Sequence, residues 1–191
     1  MLEFSLQSTT TPRTVLLLGA HCDDLEIGCG GTILQMAAKW PDAKFVWVTF
    51  SAGAEREAET RNAASSLLSG ARNSIVEVCD FRGSYFPHEG EKIKDHFETL
   101  KQHKPDLILT HYRQDLHQDH RVINELTWNT FRNHLILEYE IPKWEGDLGR
   151  PSVYQPVSEA SLERKVDLLH RHYPTQSGKH WFDRDTFRGL A

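Results

Sequence analysis

The sequence has 191 residues, of which 39% are hydrophobic, and a formal net charge of −5 at pH 7. This length and apolar content support one compact domain with a sizeable core and argue against disorder. No apolar run approaches the roughly 18 to 20 residues of a membrane span. The sequence also lacks the stripe of Lys and Arg that is typical of a protein with a nucleic-acid partner.

The chain opens with residues 1–13, which carry Glu3 and several hydroxyl side chains. A secretory signal would instead begin with a basic stretch followed by an apolar one. The three cysteines form no CxxC pair, which gives no support for a disulfide framework. Both features lead us to expect a cytoplasmic protein.

Short apolar runs alternate with helical patterns along most of the chain. The runs rich in β-branched and aromatic residues predict strands at 14–20, 44–50, 73–81, 105–111 and 134–141. The stretches with helical periodicity between them lie at 31–40, 55–70, 91–103 and 121–134. This order predicts an α/β fold: a Rossmann-like, doubly wound, mostly parallel sheet with helices on both faces.

The pattern changes after the fifth predicted strand. Residues 142–156 are rich in Pro and Gly and predict an irregular connection, and Ser158 is a plausible N-cap of an amphipathic helix over 158–172. The last stretch begins like a helix and stops abruptly, as in a truncated chain. We expect a single domain over 1–191, with its core at 13–140 and a substrate-side loop and C-terminal helix at 142–191.

Two clusters of acids and imidazoles come directly after the first and the fourth predicted strands. Their members are His21, Cys22, Asp23, Asp24 and Glu26 in the first, and His111, Asp115, His117, Asp119 and His120 in the second. The ligand crevice of a doubly wound sheet lies beyond the carboxyl ends of its strands, so neighbouring first and fourth strands would bring the clusters face to face. Taken alone, the first cluster could be a helix cap and the second a solvated helix start.

A divalent cation is the simplest reason to gather these groups. A catalytic zinc site has three ligands from His, Asp or Glu and an open position for water. His21 and Asp24 could share one ion on a tight turn, with His120 arriving from the other loop. Asp23 would stay off the metal, where an unligated carboxylate can act as a general base.

Three segments resemble the signature segments of the PIG-L/LmbE-like zinc deacetylases. They are AHCDDLEIGCGGT, THYRQDLHQDHR, and the run with Arg56, Glu59, Ala63, Ala64 and Leu67, and the resemblance covers roughly residues 13–140. It implies hydrolysis of the N-acetyl group of an amino sugar, free or conjugated. It also implies Zn²⁺, or another divalent transition metal, bound by His21, Asp24 and His120.

The same resemblance assigns roles to neighbouring residues. Asp23 would be the general base, and His117 would stabilise the oxyanion or protonate the leaving amine. Asp119 would orient a histidine, as carboxylates beside metal sites commonly do. Cys22 stands where the family usually has Pro, and we expect it to be a small buried filler.

Several residues and alternatives remain open on the sequence alone. Arg56 is either a contact for substrate hydroxyls or phosphate or a solvated arginine, and His111 either lines the pocket or is structural. The glycines of GCGG do not complete a dinucleotide motif and fit close packing of a helix on the sheet.

The alternative functions are a metal amidase for another acyl amide and a non-catalytic metal- or sugar-binding module. The spare carboxylate of Asp23 argues against the module. The identity of the sugar and the presence of a homo-oligomer are also left open.

Overall fold

The structure is a computed structural model that describes residues 11–189. Residues 1–10, which hold most of the stretch that argues against a secretory signal, lie outside the described part, as do 190 and 191.

Five strands form one parallel sheet in the order β3-β2-β1-β4-β5. Their bounds are β1 Thr14–His21, β2 Lys44–Ser51, β3 Asn73–Val78, β4 Leu107–His111 and β5 Leu135–Tyr139. The central strand β1 pairs with β2 and with β4, so Val15 lies between Phe45 and Leu107. The predicted α/β fold with a doubly wound sheet is confirmed, and every strand pairing in the described part is parallel.

Helices cover both faces of the sheet. Their bounds are α1 Asp24–Lys39, α2 Ala54–Leu67, α3 Gly90–Leu100, α4 Gln118–Thr130, α5 Glu159–His172 and α6 Arg184–Arg188. Successive side chains of β1 point to opposite faces: Val15 and Leu17 join the core with α1, α2, α5 and α6, whereas Leu16 and Leu18 join the core with α3 and α4.

Helix α1 includes a first segment from Asp24 that its periodicity does not predict. The backbone at Cys29 is non-helical, with φ of −141°, and the segment after this kink agrees with the helix predicted at 31–40. Glycine is a weak helix former, so the GCGG stretch hid the first turns. A Cβ at Gly28 would overlap the Tyr139 ring and lie 2.9 Å from the Glu140 carbonyl oxygen. Close packing of α1 against the end of β5 therefore requires glycine at this position.

The tail packs back onto the domain. Residues 142–157 are irregular, and Ser158 caps α5 by accepting a hydrogen bond from the Ser161 amide at 3.2 Å. Helix α5 packs on α1 and α2, which completes the core on that face. No helix between residues 11 and 189 is long and apolar enough to cross a membrane.

The α3/α4 face gives a stability prediction. Phe97 is fully buried and stacks on Phe50, with ring centroids 5.1 Å apart. Because truncation leaves a cavity in a packed core, we expect Phe97→Ala to lower the free energy of unfolding by about 3–5 kcal/mol in urea titrations. Val153→Ala, at an exposed position, is the control and should change it by less than about 0.5 kcal/mol. Equal losses in both variants would contradict this description of the core.

Candidate metal centre

The two polar clusters meet at the carboxyl edge of the sheet. His21 is the last residue of β1 and His111 the last of β4, and these strands are neighbours. His21 Nδ1 lies 3.3 Å from Nε2 of His120, which is in the first turn of α4. The expectation that the clusters face each other is therefore confirmed.

Three atoms form a nearly regular triangle. Asp24 Oδ2 lies 3.5 Å from His21 Nδ1 and 3.5 Å from His120 Nε2, and the two nitrogens are 3.3 Å apart. Ligands about 2.0–2.1 Å from a tetrahedral Zn²⁺ are separated by about 3.3–3.4 Å. These atoms could therefore occupy three corners of a zinc tetrahedron.

Two other groupings compete for the same role. Single atoms of His21, His117 and His120 lie within 4.8 Å of one another, and so do atoms of Asp24, His111 and His120. His111 Nε2 already accepts a hydrogen bond from the Ala20 amide at 2.8 Å. His117 Nδ1 likewise accepts from the Asp119 amide at 3.2 Å. Nε2 of His117 stays free, but a group of three histidines lacks a carboxylate. The triangle of His21, Asp24 and His120 has one, and neither of its ring nitrogens accepts a backbone amide.

Each histidine of the triangle is oriented by a buried carboxylate. His21 Nε2 lies 2.9 Å from Asp119 Oδ2, and His120 Nδ1 lies 2.9 Å from Asp115 Oδ2. These hydrogen bonds keep a proton on His21 Nε2 and on His120 Nδ1. A metal that displaces any proton from His21 Nδ1 and His120 Nε2 would then take the lone pairs of these two atoms. Asp119 thus lies where the resemblance places it, beside a ring of the triangle. Asp115 was in the sequence cluster but received no role there.

The carboxylate of Asp24 is held in its ionised form. Burial raises its pKa, but His120, His111 and His21 around it outweigh that effect and hold the pKa well below its ordinary value. Burial lowers the pKa of His21, yet the hydrogen bonds of Asp119 and Asp24 raise it to about 10. A buried anion surrounded by imidazoles suits a divalent cation.

Asp23 lies next to the triangle but has a different partner. Its backbone is left-handed, with φ of 79°, and its Oδ2 accepts a hydrogen bond from Arg56 Nη2 at 2.8 Å. Burial raises the pKa of Asp23 to about 7, and Arg56 limits that rise. A basic carboxylate beside the triangle has the properties of a general base.

Arg56 is anchored within this site. Its side chain is 27% exposed and also donates to the Cys22 carbonyl oxygen at 3.2 Å. Of the two interpretations left open, a solvated arginine does not fit these bonds. A substrate contact would have to be made alongside Asp23.

His117 caps α4 at the edge of the triangle. Its ring centroid lies 4.8 Å from that of His21 and 4.5 Å from that of His120. Because Nδ1 accepts the Asp119 amide, the neutral ring carries its proton on Nε2. Burial and the nearby charges of His120 and His21 lower the pKa of His117. It is thus a neutral hydrogen-bond donor.

His111 lies beside the triangle, with its Nε2 3.3 Å from Asp24 Oδ2. The residue is fully buried, and its Nε2 accepts from the Ala20 amide while its carbonyl oxygen accepts from Asn124. Burial, followed by the charge of His120, lowers its pKa to about 4, which keeps the ring neutral. These contacts favour the structural role that the sequence left open.

Two further members of the first cluster have packing roles. Cys22 is buried, with its Sγ 3.5 Å from the Ser51 carbonyl oxygen, which agrees with a small filler. Glu26 is buried and accepts a hydrogen bond from the hydroxyl of Tyr173, just after α5. Neither side chain belongs to the triangle.

Sequence reasoning missed Lys143 entirely. Its Nζ lies 3.0 Å from Asp115 Oδ2 and 2.7 Å from Asp147. It comes after β5, far along the chain from both clusters, in a stretch where the sequence shows only Pro and Gly as distinctive residues. No local pattern marks such a partner.

Two known proteins that this chain resembles are deacetylases. The uncharacterized deacetylase YaiS of Escherichia coli (strain K12) is 28% identical over 180 residues, which cover 87% of this chain and 94% of that protein. Among solved structures, the N,N'-diacetylchitobiose deacetylase from Pyrococcus horikoshii superposes with a TM-score of 0.72 at 18% identity. That match covers 94% of this chain and 77% of the other.

A second solved structure shows that the fold alone does not decide the reaction. GalB, the 4-carboxy-2-hydroxymuconate hydratase from Pseudomonas putida KT2440, also superposes with a TM-score of 0.72, at 15% identity, covering 94% of this chain and 84% of that one. One fold hosts different chemistries, so the reaction depends on the sequence family and on the site.

The sequence family is decided by a direct match. The profile of the family described as PIG-L, GlcNAc-PI de-N-acetylase, matches residues 16–131, which include both polar clusters and Arg56. This match spans more than half of the chain. The chain belongs to the PIG-L family of de-N-acetylases.

Proposed function

We propose that this protein is a zinc-dependent hydrolase that removes the N-acetyl group from an amino sugar or an amino-sugar conjugate. The observation that carries the proposal is the triangle of His21, Asp24 and His120 at tetrahedral spacing, with the unligated Asp23 beside it. Membership of a de-N-acetylase family supports the same reaction class.

The donor set fits zinc well. Two imidazole nitrogens and one carboxylate oxygen are ligands that catalytic zinc commonly takes, and three ligands leave a fourth position open. When bound, Zn²⁺ supplies a Lewis acid for the amide carbonyl and makes water nucleophilic near neutral pH. Other divalent transition metals favour similar ligands, so the metal must be identified by experiment.

The proton transfers are assigned to this chain's own side chains. Asp23 takes a proton from the attacking water, and Arg56 holds the carboxylate in place through its 2.8 Å hydrogen bond. His117 donates from Nε2 to the oxyanion that forms at the acetyl carbon. As the C–N bond breaks, Asp23 passes the proton it took from water to the leaving nitrogen, giving acetate and a free amino group.

The substrate class rests on the family description and on the relatives. The family is described as acting on GlcNAc-PI, and one structural relative is a deacetylase of N,N'-diacetylchitobiose. An N-acetylated amino sugar is the feature that these substrates share. An amidase for another acyl amide would use the same metal loops, because a metal-activated water and a general base serve the hydrolysis of any amide.

The general base is tested by Asp23→Asn. This change removes the proton acceptor and keeps the size of the side chain, so acetate release from N-acetylglucosamine or its conjugates should fall about 10²- to 10⁴-fold. Zinc content, measured by atomic emission, should stay near that of the wild type because Asp23 is not a proposed ligand.

Asp42→Asn is a matched control, since Asp42 is 78% exposed and, among the described residues, forms its ion pair with Arg72 on the surface. Undiminished hydrolysis in Asp23→Asn would overturn the assigned base. A wild-type protein that binds zinc and hydrolyses no acetamido sugar would overturn the deacetylase and leave the metal- or sugar-binding module.

The metal ligands are tested by His120→Gln. Loss of one of three ligands should weaken zinc binding by at least about 100-fold in competition with a chromogenic chelator and abolish acetate release. His134→Gln serves as control because His134 is exposed just before β5. Zinc affinity unchanged in His120→Gln would reject the proposed triangle.

The acyl group and the sugar are tested together. We expect N-acetylglucosamine conjugates to be hydrolysed at least about tenfold faster, by kcat/KM, than N-butyryl analogues or an N-acetylated amine without a sugar. Equal rates for the sugar-free amide would favour the general amidase.

A further inference from the structure

We propose that Lys143 is a positioning residue. It fixes the loop that carries His117 and Asp115, and Asp115 is the carboxylate that hydrogen-bonds to His120. This inference rests on the proposed function of the site. Lys143 itself lies too far along the chain to belong to either polar cluster, and it contacts none of the three proposed metal ligands in the described structure.

The ammonium group of Lys143 bridges two carboxylates. Nζ lies 3.0 Å from Asp115 Oδ2 and 2.7 Å from Asp147 Oδ2. The side chain of Asp115 is 2% exposed and that of Lys143 is 14% exposed, so water screens this bridge poorly.

The two carboxylates hold two consecutive residues, Leu116 and His117, of the loop between β4 and α4. Asp115 Oδ1 accepts from the His117 amide at 2.8 Å, and Asp147 Oδ2 accepts from the Leu116 amide at 2.6 Å. Asp115 Oδ2 also receives the His120 Nδ1 hydrogen bond at 2.9 Å. Lys143 therefore joins the 143–147 segment to the loop through both acids.

Loss of the ammonium would leave the Asp115 carboxylate buried, with its hydrogen bonds from the His117 amide and His120 but without its ion pair to Lys143. A buried carboxylate in that position reorients or admits water, because an unpaired buried charge is costly. The rings of His120 and His117 would then lose their fixed orientation. Arginine at position 143 could still bridge the two acids, whereas methionine fills a similar volume and cannot.

If Lys143 acted on the metal only through its positive charge, its loss would have the opposite effect on the rate of zinc release. A cation near the triangle repels Zn²⁺, so its removal should slow zinc release if Lys143 acted only through its field. Loss of positioning should instead speed zinc release. The two explanations are therefore separated by the sign of one measured rate.

The experiment monitors zinc transfer from the loaded protein to a chromogenic chelator, for wild type, Lys143→Met, Lys143→Arg and Asp147→Asn. We expect release about tenfold faster in Lys143→Met, near the wild-type rate in Lys143→Arg, and about threefold faster in Asp147→Asn. Acetate release should show a kcat about tenfold lower in Lys143→Met with KM changed less than about twofold. Lys101→Met is the control, at a side chain that is 49% exposed and forms its ion pair with Glu98 on the described surface.

Cobalt substitution gives a readout independent of activity and of release. The visible absorption bands of the Co²⁺-loaded protein should shift in Lys143→Met and return in Lys143→Arg, because they report ligand geometry. Should Lys143→Met fail to fold, Asp147→Asn still tests the bridge.

The positioning role would be overturned, while the proposed function stands, if Lys143→Met and Asp147→Asn left both the zinc-release rate and the Co²⁺ absorption bands unchanged. Slower zinc release in Lys143→Met would overturn it as well. A wild-type protein that neither retains zinc nor releases acetate would overturn both.

Discussion

The ionised carboxylate of Asp24 is the group on which the rest of the site depends. It is buried and has three imidazoles within 3.5 Å of one oxygen. A buried anion of this kind is costly unless cations or hydrogen-bond donors compensate it. The backbone amide of His21 donates to it at 2.7 Å, and a divalent cation bound between Asp24, His21 and His120 would compensate the rest of its charge. Two of those rings are in turn fixed by Asp119 and Asp115, so acids and imidazoles alternate outward from Asp24.

The parallel sheet brings these groups together through the adjacency of β1 and β4. The strands pair from Val15 with Leu107 to Leu17 with Leu109, and beyond that point the Ala20 amide donates to the His111 ring in place of a strand partner. His111 thus satisfies a backbone donor where the strands separate to open the crevice. The ring of His111, for which the sequence left open a pocket-lining or a structural role, thus packs against the site and holds the backbone of β1.

The fold supplies the edge of the sheet, and the loops supply the chemistry. A chitobiose deacetylase and a muconate hydratase share this architecture with the chain at similar TM-scores, which shows how little the sheet restricts the reaction. The polar groups of this chain lie beyond the ends of the strands: Asp23 and Asp24 after β1, Arg56 after β2, and His117 and His120 after β4. The bridge from Lys143 would add the segment after β5 to this set.

The fold class, the order of strands and helices, and the two polar clusters were predictable from the sequence, because short-range periodicity and motif spacing are local properties of the chain. The resemblance to the family implied that Asp119 is a partner for a histidine. The glycines were predicted from the sequence as sites of close packing, although GCGG concealed the start of α1 at Asp24. The tertiary structure was needed to show that Asp23 binds Arg56, that His111 is enclosed by Ala20 and Asn124, and that Asp115 and Lys143 support His120. These pairings join residues from different loops, and whether two such side chains meet depends on strand order and on the path of the backbone between them, which no local pattern records.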